Sequence, residues 1–176
     1  MNLKMYHDYF MHQAIAHPLL GHTNDNRVFE MIGIDEDYGD LRSKVKEKDY
    51  VVRLLEYSYQ VSDFNGALVR KSIRGAFMVA KFYSPRNDSA ADYLTALGSA
   101  EGIVDNFVEK MIADSKAGHP LFGDSIDRSQ DFQVAPTIRP GDGAYAGWEC
   151  IFTIRPAFDL ACDSVGWTDG GITPHM

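Results

Sequence analysis

Cysteine is scarce in this chain of 176 residues, with only Cys150 and Cys162, which excludes the disulfide framework that holds many small secreted domains together. Basic residues are also few, 17 Lys and Arg against 25 Asp and Glu, for a formal net charge of −8. Phosphate contacts need clustered Lys and Arg, so direct nucleic-acid recognition is not expected. No apolar run approaches the roughly 20 residues of a membrane span. The N-terminal stretch carries Asp8, His7, His12 and His17 and lacks the apolar centre and cleavage site of a signal peptide. A cytoplasmic setting is therefore expected. Catalytic motifs are missing as well: there is no G-x-S-x-G, no H-E-x-x-H and no phosphate-cradling glycine loop.

What is present belongs to a folded globule, 45% hydrophobic and 12% aromatic. A chain of this length suits one domain with a sizeable core, so residues 1–176 read as a single domain. Its clearest element is the stretch 87–118. Tyr93, Leu97, Ala100, Val104, Phe107, Val108, Met111 and Ile112 recur at helical spacing, while Asp88, Asp92, Glu101, Asp105, Glu109 and Asp114 fall opposite them. Asn87, Asp88 or Ser89 can cap its start, and Gly118 followed by Pro120 supplies the stop. Gly98 and Gly102, each costing up to about 1 kcal/mol against Ala in a helix interior, predict a kink or a close strand approach.

The remaining elements follow in chain order. Residues 3–16 have helical spacing through Met5, Tyr9, Phe10 and Ile15, and Pro18 ends the run. Residues 27–34 read as a short strand and 35–49 as a polar loop. Residues 50–61 favour one strand, although Val51, Leu54, Leu55 and Ser58 also fit a helix face. A loop or ribbon follows, with Asn65-Gly66 as a turn signal and Arg70, Lys71 and Arg74 as the one basic cluster. Residues 75–83 are apolar on both parities, as in an interior strand. From residue 132 the period becomes two: Phe132, Val134, Pro136 and Ile138, then Trp148, Cys150, Phe152 and Ile154, form a hairpin around a Pro-Gly-Asp-Gly turn. Pro136 has no N–H to give, so its strand is expected at an edge or bulged there. Residues 159–176 are glycine-rich and read as a loosely ordered tail. The sum is an α+β fold: an antiparallel sheet of about four strands, a long helix packed on one face and a short N-terminal helix.

The candidate chemistry is weak. His7, His12, His17 and His22 fall five apart, whereas ligands on one helical face need steps of three or four, so a metal site with Asp8 or Asp25 is not expected. His-Pro-Leu occurs at 17–19 and again at 119–121, each after a helical stretch, and reads as repeated helix-stop chemistry rather than duplication. Cys162 lies between Asp159 and Asp163, which disfavours a thiolate. Asp35, Glu36 and Asp37 read as a solvated charge run. No enzyme activity, cofactor or metal is expected.

The order of elements, with the strand GAFMVAKFYS, the helix segment GIVDNFVEKMIAD and the final hairpin strand GWECIFTI, resembles the phage tail-terminator and tail-completion (minor tail) proteins. The resemblance spans residues 3–158 and rests on element order and character. It implies a non-enzymatic structural subunit, found in the cytoplasm during assembly and then in the virion tail, that forms a homo-oligomeric ring to terminate or complete the tail tube. It also implies a tail-tube or connector protein as partner. The chain departs from the pattern in 27–49 and in its tail. An interface setting Arg70, Lys71 and Arg74 against Glu101, Asp105 and Glu109 of a neighbouring subunit suits such a ring. The alternative is a small cytosolic enzyme or ligand-binding protein using the N-terminal histidines.

Overall fold

The computed structural model describes residues 3–22, 28–32, 50–64, 68–83, 88–122, 126, 128–139 and 144–155. The polar segment 35–49, the two turn signals, Cys162 and the C-terminal tail lie outside the described residues. The elements are α1 (Leu3–Ala16), β1 (Phe29–Ile32), β2 (Tyr50–Leu55), β3 (Ser58–Phe64), β4 (Leu68–Tyr83), α2 (Ala90–Lys116), the short α3 (Arg128–Asp131), β5 (Phe132–Arg139) and β6 (Ala144–Ile154).

The fold is α+β, but the sheet is larger and less uniform than the sequence predicts. It has six strands in the order β1-β2-β4-β6-β5, with β3 pairing β4 off that path. β1 runs parallel to β2, and the other pairs are antiparallel. Two physical facts account for the difference from four antiparallel strands. The stretch 50–61 is broken at Glu56 and Tyr57, so it supplies β2 and then the first part of β3. β4, at 16 residues, is long enough to hold both of them end to end along one side. A parallel pair requires a long return connection, and residues 33–49 provide the length between β1 and β2. Glu30 lies beside Arg53 in that pair, at 3.8 Å, with Arg53 almost fully buried.

Both long helices lie against the face of the sheet that bears Phe77 and Phe152. Phe10 of α1, Phe107 of α2, Phe77 of β4 and Phe152 of β6 form the centre of the core, with ring centroids between 5.4 and 6.4 Å apart in five of their pairings. The buried face of α2 is Ala96, Ala100, Ile103, Val104, Phe107, Val108, Met111 and Ser115. Tyr93, Leu97 and Ile112, expected inside, are half-buried at its rim. The sheet reaches up to that rim: Trp148 Nε1–H donates to the Leu97 carbonyl at 3.1 Å, and the Tyr50 hydroxyl donates to that of Ala96 at 3.4 Å. On α1 the inward face is Tyr6, Tyr9, Phe10, Gln13 and Ala14, whereas Ile15 is exposed.

Helix ends follow local chemistry. Ser89 caps α2: its hydroxyl oxygen accepts from the Asp92 N–H at 3.2 Å, and Asp92 accepts from the Ser89 N–H at 2.9 Å, a reciprocal capping box. The Ser89 hydroxyl, which donates to the Asp92 carboxylate at 2.6 Å, and the Ser89 N–H together hold that carboxyl below its ordinary pKa. At the other end Gly118 adopts φ +76, and the N–H groups of His119 and Gly118 donate to the carbonyls of Asp114 and Ser115, the pairing of a Schellman stop.

The glycines divide by environment. At Gly75 an added Cβ would fall 2.6 Å from both the Phe152 ring and the Tyr6 hydroxyl oxygen, so this glycine is required by close packing. At Gly98 and Gly102 no strand approaches: α2 runs unbroken across them, and a Cβ at either meets nothing within 4 Å.

Phe107→Asp should therefore lower stability by several kcal/mol, since it buries a carboxylate among phenylalanines, whereas Glu101→Ala should leave the urea midpoint nearly unchanged. Gly75→Ala should destabilise, and Gly98→Ala should stabilise by up to about 1 kcal/mol. Equal and opposite melting shifts are not needed to support the assignment, but a Gly98→Ala protein that melts lower than the parent contradicts it.

Candidate interaction surface

Strand β4 pairs with β6 from Ile73 to Tyr83 and with β2 from Phe77 to Lys81. Its first residues, 68–72, lie beyond the β6 pairing and are held by β3 alone among the described residues. β3 and the start of β4 thus form a two-stranded ribbon continuing past the body of the sheet. Tyr6 holds its base: the phenol donates to the Leu55 carbonyl at 3.1 Å, and its ring stands edge-on to that of Tyr57, 5.1 Å away, where β2 gives way to β3. Burial pushes that phenol far above the ordinary tyrosine range.

All three residues of the basic cluster fall in the β4 part of this region. By register Arg70 lies opposite Ser62, Lys71 opposite Val61 and Arg74 opposite Ser58. Strand alternation places positions 70 and 74 on one face and 71 on the other. Arg74 is exposed. Tyr59 and Val61, two apart and so on the same face of β3, are 62% and 47% exposed. They escape the reading of 50–61 as one strand, although the alternation Ser58, Tyr59, Gln60, Val61, Ser62 is the signal for a strand with one apolar face open.

The acidic set lies on a different element. Glu101, Asp105 and Glu109 step by four along α2, with Glu101 and Glu109 exposed and Asp105 half-buried. Leu94, 65% exposed, and the two exposed glycines at 98 and 102 share this outward side of the helix. At ~100° per residue, all six positions fall within roughly a quarter to a third of the helical circumference.

The histidines do not assemble. His7 lies against Asp8 and Phe29, His17 Nε2 is 3.2 Å from the Asn106 amide, and His22 Nδ1 accepts from the Phe29 N–H at 3.2 Å. Among the described residues no three His, Cys, Asp or Glu side chains are placed to share a metal ion. His12 and His119 both line an open groove of about 490 Å³ between α1 and the turn after α2, together with Lys4, Met5, Asp8, Tyr9 and Pro120. Lys4 is ion-paired to Asp8 there. Tyr9, whose phenol burial keeps protonated, donates to Asp114 at 3.0 Å. Cys150 is buried, and its thiol is pushed up to about 12 by burial, which leaves it inert as a nucleophile.

The repeated His-Pro-Leu has one local structure at both sites. Nδ1 of His17 accepts from the Leu19 N–H and that of His119 from the Leu121 N–H, at 3.3 and 3.2 Å. The following N–H, of Leu20 or Phe122, donates to the histidine carbonyl. Each is a proline-directed turn that takes the chain off a helix. Comparison with known proteins finds no matching family model and no similar sequence among characterised proteins.

His17 gives a pH prediction. Burial lowers its pKa in the fold, so the folded protein favours the neutral ring, which is also the form that accepts the Leu19 N–H. The unfolded chain takes up the proton first, near its ordinary value of about 6.5. The stabilisation is thus whole above that pH and is lost as pH falls below it toward the depressed folded value. The urea midpoint should drop between pH 7 and 5, and His17→Asn, which keeps a side-chain acceptor, should flatten the drop. An identical slope in the variant removes His17 from this account.

Proposed function

We propose that the protein is a non-enzymatic structural subunit that self-associates into a ring, as a terminating or completing part of a phage-like tail. The observation that carries self-association is the ribbon of β3 and β4, which extends beyond the sheet and carries exposed apolar side chains on the strand pair that also holds Arg70, Lys71 and Arg74. Exposed apolar strand surface of this kind is a hazard unless something covers it. The tail assignment rests on the order of elements, which follows the resemblance: a short helix, strands, one long helix and a closing hairpin. A tail-tube or connector protein is the proposed partner. Assembly is placed in the cytoplasm.

A head-to-tail contact is the symmetry that gives a ring, and it lets Arg70, Lys71 and Arg74 of one subunit meet Glu101, Asp105 and Glu109 of the next. A second reading, a ligand-binding protein, has one observation in its favour, the groove lined by His12 and His119.

Light scattering over a concentration range should show a closed oligomer of discrete mass. Because charge pairing contributes, raising salt from about 0.05 to 0.5 M should weaken it as the Debye length shrinks from roughly 14 to 4 Å. A monomer at every concentration that also fails to bind a tail-tube protein overturns the proposal. Small-molecule binding lost in His12→Ala and His119→Ala would favour the second reading.

A further inference from the structure

Resting on the self-association just proposed, we infer that the C-terminal residues 159–163 of one copy add as a strand to the outer edge of β3 in a second copy. Among the described residues β3 has a strand on one side only, β4, and Ser58, Tyr59, Gln60 and Val61 are exposed on both of its faces. An extended segment laid along such an edge completes its backbone hydrogen bonds, and its alternate side chains decide whether it fits. Register sets what those side chains must be. One face of β3 carries Tyr59 and Val61, and the other carries positions 58 and 62, which stand opposite Arg74 and Arg70 of β4. A fitting strand is therefore apolar at one parity and acidic at the other, with its carboxylates four residues apart to match the two arginines.

The stretch DLACD at 159–163 has this pattern: Leu160 and Cys162 alternate with Asp159, Ala161 and Asp163. Run antiparallel to β3 with Asp159 beside Ser62, it sets Leu160 beside Val61, Ala161 beside Gln60, Cys162 beside Tyr59 and Asp163 beside Ser58. A serine is short enough for an arginine one strand further in to reach across it to a carboxylate. Glu101, Asp105 and Glu109 are also spaced by four, but they sit on a helix and cannot complete a strand edge. The donor is a second copy because the segment cannot reach its own β3. β6 ends at Ile154, level with Tyr59 but on the side of β4 away from β3. From there to a strand beyond β3, level with Ser62, is about 14 Å sideways and about 10 Å along. Five fully extended residues cover at most about 17 Å, no more than that straight line, with nothing left for passing over the ribbon's side chains. A tail from one copy on the edge of the next is a head-to-tail contact, the kind that closes into a ring.

The test uses two full-length variants, one altered in the donor and one in the acceptor. Asp159→Arg with Asp163→Arg, and separately Arg70→Glu with Arg74→Glu, should each weaken self-association by at least about tenfold in sedimentation velocity while circular dichroism stays that of the parent. An equimolar mixture of the two should recover association, because the reversed tail of one matches the reversed edge of the other. A synthetic peptide of residues 157–165 should inhibit assembly of the parent chain, and the same peptide with both aspartates replaced by arginine should not. If each variant is weakened but the mixture recovers nothing, the tail of a second copy is not the occupant and the inference is overturned. If the parent assembles and the folded variants assemble as tightly, this docking edge is wrong and the self-association reading stands. If the parent chain is monomeric throughout, the reading itself falls, and this inference with it.

Discussion

Four phenylalanine rings hold this protein in its shape. Phe10, Phe77, Phe107 and Phe152 come from four different elements and meet at one point, each almost fully excluded from water. Aromatic pairs at these separations contribute about 0.5–1.5 kcal/mol each beyond the area they bury. The greater consequence is geometric. Because β4 and β6 supply two of the rings from one face, both helices must lie on that face, and the sheet cannot be sandwiched between them. Gly75 is part of the same constraint: only a residue without Cβ lets Tyr6 and the Phe152 ring close over β4 at the point where the ribbon leaves the sheet.

That packing divides β4 into two halves with different duties. From Ile73 onward the strand is paired with β6, has β2 on its other side from Phe77 to Lys81, and carries Phe77 and Val79 into the core. Before Ile73 its one strand partner among the described residues is β3. A single strand thus runs from the most buried part of the molecule to a two-stranded extension, and the base of that extension is clamped by Tyr6 through a hydrogen bond and a ring contact. A two-stranded ribbon is marginal by itself in water. Continuity with a buried strand gives this one a rigid root, and a rigid root limits the entropy lost when such a surface docks on a partner.

How much of this can be read in the sequence depends on how local the cause is. The long helix, its Ser89 cap with Asp92, its Gly118 stop, and the hairpin of β5 and β6 with Pro136 at an edge all follow from residues a few positions apart. The pairing of β1 with β2 does not, because parallel strands are joined through a distant crossover that leaves no local signature. The break at Glu56 and Tyr57 is hidden for a related reason: Tyr and Val continue the β pattern across it, and only the packing of Tyr57 on Tyr6 shows where one strand ends. On α1 the period is legible but the phase is not, since Ile15 and Tyr6 compete for the inward position and the larger aromatic surface of Tyr6 is the one buried. The candidate surface is legible only in parts. Charge marks Arg70, Lys71, Arg74 and the α2 carboxylates, whereas the exposure of Tyr59, Val61 and Leu94 emerges only once the partners of each strand and helix face are known.

Among the described residues β1, β3 and β5 each have a strand partner on one side only, and β3 and β5 are guarded differently. An edge strand presents unpaired N–H and C=O groups that another chain can complete, and proteins blunt such edges with proline or charge. β5 is blunted by Pro136 and is held from its other side along its whole length by β6. β3 contains no proline, and Asp63 is the only charged residue from Ser58 to Phe64. Among the described residues, β3 is thus less guarded than β5 against the addition of a further strand.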